Sequence, residues 1–373
     1  MSVEINDRLK LRPSVAVVSN EDVTEFFLSD IRHTIVLRMQ KEVAALLFEL
    51  NGRLSVQEFL EANNLSERTE EVLPLLSFLN NNCVLIKMDG DYNETYNRFP
   101  RVYSLLENYY STQHQVEDHF LQVQKSRVMI IGLGSVGTWV AQSLLMSGVQ
   151  HFLLVDADRV ELSNLHRQCG FAESSIGLLK TEAFTNHLKE INPEVDVECI
   201  IDWLDNKFWE RNDVGNVDLI INCADKPTVD ETSYIVGEYA MPRGIPHIVG
   251  GGYNLHQSLV GQVVIPGKTA CLECFRMNLD ELNEIDTSNI RKLENKNRRV
   301  GSFLPLSALS SAITANEAFK VLAGLDNLTM AGKRTEFLLR ELNFANVEMH
   351  RHHDCKWCGY EGKYYQLQRD KDQ

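Results

Sequence analysis

A chain of 373 residues, 24% charged and 44% hydrophobic, has room for two or three domains and a large buried core, and its composition is that of a soluble globular protein. Its formal net charge of −15 argues against a nucleic-acid surface, which is normally basic, and no apolar run approaches a membrane span, so neither nucleic acid nor membrane is an expected partner. The opening MSVEINDRLK has no apolar core behind its charges and is not a signal peptide. A cytoplasmic location is expected, where eight cysteines read as thiols or metal ligands rather than disulfides.

Residues 1–90 are the first predicted domain. Within 8–88, SVAVVS, EFFLSD and TIVLRM predict three short strands separated by polar turns. QKEVAALLFELNG spaces Val43, Leu46, Leu47 and Leu50 as a helix does, with Asn51-Gly52 as the expected stop. A second helix is expected from Ser55, where Glu58 completes a capping box. A third runs from 66 to 80, kinked or ended near Pro74, and CVLIKM predicts a last strand. The plan is a small winged-helix-like α+β domain. DGDYNETYN (89–97) is polar and reads as a linker into a second domain, 91–373.

From Arg127 the pattern alternates. RVMII, HFLLVD, VDVECII, VDLIINC, PHIVG and VGQVVIP predict strands, with helical segments between the first four. That order implies the α/β class, a Rossmann-like, doubly wound, mainly parallel sheet. Residues 278–300 are polar without a sustained apolar face, and a lid or a solvent loop reads equally well. Arg291, Lys292, Lys296, Arg298 and Arg299 form a basic cluster there, either for acidic peptide side chains or, more commonly, as a solvated charge run. LSALSSAITANEAFKVLAGL then predicts a helix with much apolar surface, a candidate for a subunit interface.

The turn Gly132-Leu-Gly134-Ser-Val-Gly137 is a G-x-G-x-x-G that follows a strand and opens a helix. A second strand ends in Asp156, nineteen residues past Gly137, where an acid can bond a ribose hydroxyl. The helix N-terminus offers unpaired N–H groups to phosphate. The block DADRVELSNLHRQ (156–168) then separates two nucleotides. Hydride transfer has no use for Asn164, Arg167 and Gln168 just behind the ribose acid, whereas a triphosphate attacked at its α-phosphate needs its charge offset. Lys180 follows near the start of the next predicted helix, and Asp225, in INCADKP, ends another strand at the edge where such sheets bind ligands. A carboxylate there can hold Mg²⁺ beside phosphate oxygens. Each residue alone reads equally as a surface charge; the set does not.

These motifs resemble those of the ThiF/MoeB/HesA family, relatives of ubiquitin-activating enzymes, over about residues 95–360. The shared order is a glycine loop, D-x-D-x-V-x-x-S-N-L-x-R-Q, a lysine, and an aspartate after a later strand. The resemblance implies ATP, with Gly132, Gly134 and Gly137 along the phosphates and Asp156 on the ribose, Asp158 completing the acidic pair. It puts Asn164, Arg167, Gln168 and Lys180 in the triphosphate site, with Asp225 serving Mg²⁺ and adenylation. It also implies a homodimer in which an arginine before the first strand reaches the partner's ATP. In YNRFPR, Arg98 fits that role better and Arg101 is the reserve. Ser135 and Lys226 depart from the pattern, the latter standing where asparagine is common.

CLEC and CKWC supply Cys271, Cys274, Cys355 and Cys358, two C-x-x-C pairs that can close a tetrahedral Zn²⁺ site with no open position, hence a structural one. A redox motif is the weaker alternative. His350, His352 and His353 are expected to face solvent, Cys199 and Cys223 to lie in the core, and Cys169 to be a packing residue. No cysteine falls within 278–300, where a thioester-forming nucleophile would be expected, which argues against sulfur transfer.

LKLRPSVAVV, EFFLSD and ALLFELNGRLSVQEFLEANN resemble PqqD-like peptide-recognition domains of ribosomal-peptide biosynthesis, over residues 8–88. That implies a precursor peptide whose leader adds to the domain as a strand. A winged-helix dimerisation or DNA module is the alternative, its DNA version weakened by the acidic balance. The two resemblances together imply a peptide-antibiotic maturation enzyme. ATP would convert a precursor-peptide carboxylate, a glutamate side chain in this reading, to an acyl-adenylate that a nucleophile of the same peptide attacks in a cyclising condensation. The alternatives are adenylation of a peptide C-terminus and activation of a ubiquitin-like sulfur carrier. A peptide-binding scaffold without catalysis and a dehydrogenase fit the motifs less well.

Overall fold

The computed structural model describes residues 2–90, 95–250, 257–283, 301 and 303–365. The chain divides into two compact units, Met1–Gln122 and Val123–Gln373.

The first unit holds two antiparallel sheets. β2 (Val15–Ser19), β3 (Val23–Leu28) and β4 (His33–Arg38) form a meander at the three predicted positions. β3 alternates, burying Thr24, Phe26 and Leu28 and exposing Glu25 and Phe27, as a sheet with one face on a core must. β1 (Arg8–Leu11) lies between β5 (Asn51–Ser55) and β6 (Leu85–Lys87). The helical spacing of 43–50 is only half realised. α1 (Lys41–Leu46) tightens into a 3₁₀ turn at Leu47–Glu49, and Asn51-Gly52 opens β5 instead of a loop. Gly52 takes φ +82 there, beside a register shift against β1.

α2 (Val56–Ala62) has the expected capping box: Glu58 N–H donates to Ser55 Oγ at 3.2 Å, and Ser55 N–H to Glu58 Oε2 at 2.8 Å. α3 (Thr69–Asn81) carries Pro74 without ending at it. After α4 (Thr95–Arg98), helices α5 (Pro100–Leu106) and α6 (Gln113–Lys125) follow. The segment after 90 is tied to the strands before it. Buried Arg12 donates from Nη2 to the Tyr110 carbonyl at 2.9 Å, and Lys10 Nζ lies 3.1 Å from Glu107 Oε1. The first compact unit runs to Gln122.

The second unit is built on a six-stranded sheet. Its strands are β7 (Arg127–Ile131), β8 (His151–Val155), β9 (Asp196–Ile200), β10 (Leu219–Asn222), β11 (His247–Val249) and, after β12 (Gln257–Leu259), β13 (Gln262–Val264). The order is β13-β11-β10-β7-β8-β9, with only β13 antiparallel. β7, β8, β10 and β11 are almost wholly buried, so they read as unbroken apolar runs. The crossovers are α7 (Gly137–Met146), α8 (Lys180–Ile191), α9 (Phe208–Arg211) and α10 (Val229–Arg243), the last capped by Thr228 and ended by a left-handed Gly244. From β7 the chain adds β8 and β9 on one side and then β10 and β11 on the other, which makes the carboxyl ends of β7 and β10 the switch point where such sheets bind ligands.

α11 (Leu272–Asn283) takes the first six residues of the polar tract read as a loop from 278; buried Asn278 donates to the carbonyls of Cys274 and His350. The basic cluster at 291–299 lies outside the described residues. α12 (Leu304–Leu322), the helix with much apolar surface, buries Leu306, Ala315, Ala318 and Phe319 within its own chain and packs against α7, with Ser311 Oγ donating to the Val136 carbonyl at 3.2 Å. A hairpin of β14 (Lys333–Leu338) and β15 (Asn343–Glu348) joins β12 in a small sheet that sequence patterning did not show.

Candidate active site

A cavity of about 980 Å³ opens at the carboxyl ends of β7, β8 and β10. The glycine turn after β7 splits into three roles. Gly132 has φ +92, and a Cβ there would lie 2.8 Å from the backbone carbonyl of Cys223, so only glycine lets the chain leaving β10 pass. Gly137 begins α7 beneath the turn; its Cβ would fall 1.9 Å from the Gly132 carbonyl oxygen. It packs helix against strand, and the cavity wall described by the structure includes Gly132 and Gly134 but not Gly137. Gly134 does line it, with nothing within 4 Å of an added Cβ. The open side of the turn therefore belongs to Gly134 and the N-terminal end of α7, a concave donor site for an anion.

Asp156, Asp158, Asn164, Arg167, Gln168, Lys180 and Asp225 all line the same cavity. Asp156 is buried, and both its oxygens accept backbone N–H groups: Leu133 at 2.6 Å on Oδ2 and Asp158 at 2.7 Å on Oδ1. It thus pins the glycine turn to the end of β8. Lys180 is buried at the start of α8, its Nζ 2.9 Å from Asp158 Oδ2. Asn164 Oδ1 accepts the Glu161 N–H at 3.0 Å, and Arg167 Nη1 donates to the Ser163 carbonyl at 2.6 Å. Gln168 is buried on the same wall, and its Oε1 has no partner among the described residues.

Asp225 is exposed, three residues past the end of β10. Its loop is held by Asn222, which sequence reasoning missed. This buried amide donates to Thr232 Oγ1 at 3.0 Å and Ser233 Oγ at 3.1 Å, and accepts the Ala224 N–H at 3.2 Å. Thr232 Oγ1 in turn donates to the Ala224 carbonyl at 2.9 Å. An asparagine closing an otherwise apolar strand was the available signal. Trp203, also missed, lines the cavity from the loop after β9, with Lys226 Nζ over its ring at 5.2 Å.

Among the described residues, five carboxylates (Asp156, Asp158, Glu161, Asp202, Asp225) and four cations (Arg159, Arg167, Lys180, Lys226) share the cavity wall. A triphosphate entering that balance brings more negative charge than the wall offsets. The exposed Asp225 carboxylate, with Asp158 on the same wall, suits Mg²⁺, which favours oxygen ligands shared with phosphate. Arg98 and Arg101 belong to the first unit and are both exposed.

The four predicted zinc cysteines converge in the second unit, all buried and with every Sγ within 4.8 Å of the others. Cys271 Sγ is 3.8 Å from Cys274 Sγ and 3.6 Å from Cys355 Sγ, and Cys274 Sγ is 3.4 Å from Cys358 Sγ. A tetrahedral Zn²⁺ with sulfurs at about 2.3 Å sets them about 3.8 Å apart, so the donor set fits. His352 is not solvent-facing as expected: only 16% of its side chain is exposed, and Nδ1 lies 3.8 Å from Glu281 Oε1. Cys199 and Cys223 also depart from expectation. Cys199 is exposed because β9 is an edge strand, and Cys223 lies just past β10 on the cavity wall. Cys169 does pack: its thiol reaches Gln142 Oε1 at 2.6 Å, and burial pushes its pKa up to about 11.

The ThiF family model matches residues 110–357. The sulfur carrier protein ThiS adenylyltransferase of Bacillus subtilis is 33% identical over 160 residues, covering 41% of this chain and 45% of that protein. The match thus spans about half the relative's length. Molybdopterin-synthase adenylyltransferase of Escherichia coli is 26% identical over 237 residues, 64% of this chain and 88% of that protein. Among solved structures, E. coli MccB with ATP superposes at a TM-score of 0.73 and 23% identity, over 94% of this chain and 99% of its own. PaaA superposes at 0.69 and 21% identity, over 91% of this chain and 99% of its own. At these identities the superpositions establish shared fold.

Proposed function

We propose that this chain, which belongs to the ThiF family, is an ATP-dependent adenylating enzyme that activates a carboxylate of a ribosomally made precursor peptide. One observation carries the adenylation: Gly134, Asp156, Asn164, Arg167, Lys180 and Asp225, scattered over ninety-two positions of sequence, meet on one cavity wall at the sheet's switch point. In this reading Gly134 and the start of α7 receive the phosphates. Arg167 and Lys180, with Arg98 of the partner protomer, counter the charge that grows as the α-phosphate is attacked, while Asn164 and Gln168 contact the nucleotide. Asp225 would hold Mg²⁺, which would neutralise phosphate oxygens. The peptide carboxylate oxygen attacks the α-phosphorus, pyrophosphate leaves, and an acyl-adenylate remains. A nucleophile of the same peptide then attacks the activated carbonyl and AMP departs, closing a ring. Proximity of the two groups in one bound peptide supplies much of the rate.

The peptide substrate rests on the first unit. MccB, a microcin C7 biosynthetic enzyme, has been crystallised with N-formylated MccA, and its likeness to this chain runs through both units. β4 pairs only with β3 among the described residues, so its far edge is free to accept a leader strand, as PqqD-like domains do. We assign residues 1–90 to leader recognition and 91–373 to adenylation, a glutamate side chain as the activated group, Zn²⁺ as a structural clip, and a homodimer in which Arg98 of one protomer serves the other's ATP. Activation of a sulfur-carrier protein is the second reading. It is favoured by the match to 88% of molybdopterin-synthase adenylyltransferase, and leaves the first unit without a role.

ATP–pyrophosphate exchange, run with and without a candidate precursor peptide, tests the assignment. Exchange should require the peptide, and Lys180→Ala and Asp225→Ala should each abolish it while peptide binding persists. Normal peptide processing by both variants would overturn the site.

A further inference from the structure

Three of the four cations on the cavity wall are already committed. Lys180 is paired with Asp158 at 2.9 Å. Arg159 Nη1 donates to the Gly177 carbonyl at 2.7 Å, and Arg167 Nη1 to the Ser163 carbonyl at 2.6 Å. Lys226 differs. Among the described residues its ammonium has no carboxylate or carbonyl partner, only the face of Trp203 at 5.2 Å from the ring centroid. Both side chains are open to solvent, Trp203 by 48%, and they come from different loops, one after β9 and one after β10. An exposed cation–π contact is weak, so the ammonium leaves the ring at little cost.

Lys226 shares the cavity wall with Gly132 and Gly134 of the phosphate turn. Cys223, three residues before it, packs its carbonyl 2.8 Å from where a Gly132 Cβ would sit. Asp225, the residue before it, is the metal-binding candidate. A polyphosphate therefore arrives beside the one wall cation among the described residues that loses almost nothing by turning to it. Resting on the adenylating assignment, we propose that Lys226 is a triphosphate-selecting residue, parked on Trp203 and transferred to the β,γ-phosphates of bound ATP, with Trp203 as the built-in reporter of the move.

Calorimetry with ATP, AMP and inorganic pyrophosphate in excess Mg²⁺ tests this. Lys226→Ala should weaken ATP and pyrophosphate about tenfold and leave AMP within about twofold. Lys226→Arg should restore most of the ATP affinity, and Lys226→Met should behave as the alanine variant. Tryptophan emission should change when ATP, but not AMP, is added to the unsubstituted protein, and that change should vanish in Trp203→Phe and Lys226→Ala. Unchanged ATP affinity in Lys226→Ala, or an equal loss for ATP and AMP, would overturn the proposal. A chain that binds neither nucleotide before any substitution would overturn the adenylating assignment itself.

Discussion

Replacing Asn222 with alanine tests how the Asp225 loop is held. Asn222 is 2% exposed and makes three side-chain hydrogen bonds across the joint between β10 and α10. Thr232 Oγ1 keeps other partners after the change, donating to the Ala224 carbonyl, but Ser233 Oγ and the Ala224 N–H lose theirs. Each buried polar group left unpaired costs about 1–3 kcal/mol, and Ala224 is partly exposed, so we expect a total near 3 kcal/mol. For a unit of this size that lowers Tm by roughly 6–12 °C. Mg-ATP affinity should fall about tenfold as Asp225 loses its anchor. Urea unfolding and calorimetry on the same samples provide both numbers. Ser233→Ala should cost less in the Asn222→Ala background than alone, because the hydroxyl it removes is already orphaned, giving a coupling of about 1 kcal/mol. Strict additivity, or a loss below about 0.5 kcal/mol for Asn222→Ala, would refute the reasoning.

Other substitutions separate packing from binding. Gly137→Ala should lower both stability and nucleotide affinity, since its methyl would collide with the Gly132 carbonyl at 1.9 Å. Gly134→Ala should fold with unchanged Tm and lose ATP, its methyl filling phosphate space; melting curves beside calorimetry distinguish the two. Elemental analysis should find one zinc per chain, and stripping it, or Cys358→Ser, should red-shift the emission of Trp357, which is 4% exposed. His247 is buried, and desolvation holds its pKa down at about 4 in the fold, against 6.5 in the open chain. The unfolded state therefore binds the extra proton between those values. The associated stability is complete above about pH 6.5 and is lost as pH falls toward 4, by up to about 3 kcal/mol. Urea titrations from pH 7 to 4 should lose that slope in His247→Phe.

Legibility in the sequence followed burial and contiguity. The central strands were readable because both faces are covered, which demands runs such as RVMII and LIIN. β15 exposes nearly every residue, so NFANVE carries no apolar signature, and the four residues of β1 are too few for one. The helical reading of 43–50 failed at its end because Leu47 and Leu50 are buried from a 3₁₀ turn and the approach to β5, which helical spacing does not distinguish. Asp156, Asn164, Arg167 and Gln168 were legible because one short block carries them. Asn222 and Trp203 act through partners on other loops, contacts that exist only once the sheet has assembled.

Asp156 shows what that economy entails. The carboxylate expected to greet the sugar also ties Leu133 and Asp158 in place, so its removal would dismantle the turn together with the contact. A scan that swapped it for alanine and recorded lost nucleotide binding would thus conflate two causes. An analogue lacking the ribose hydroxyls, offered to the intact chain, would tell them apart.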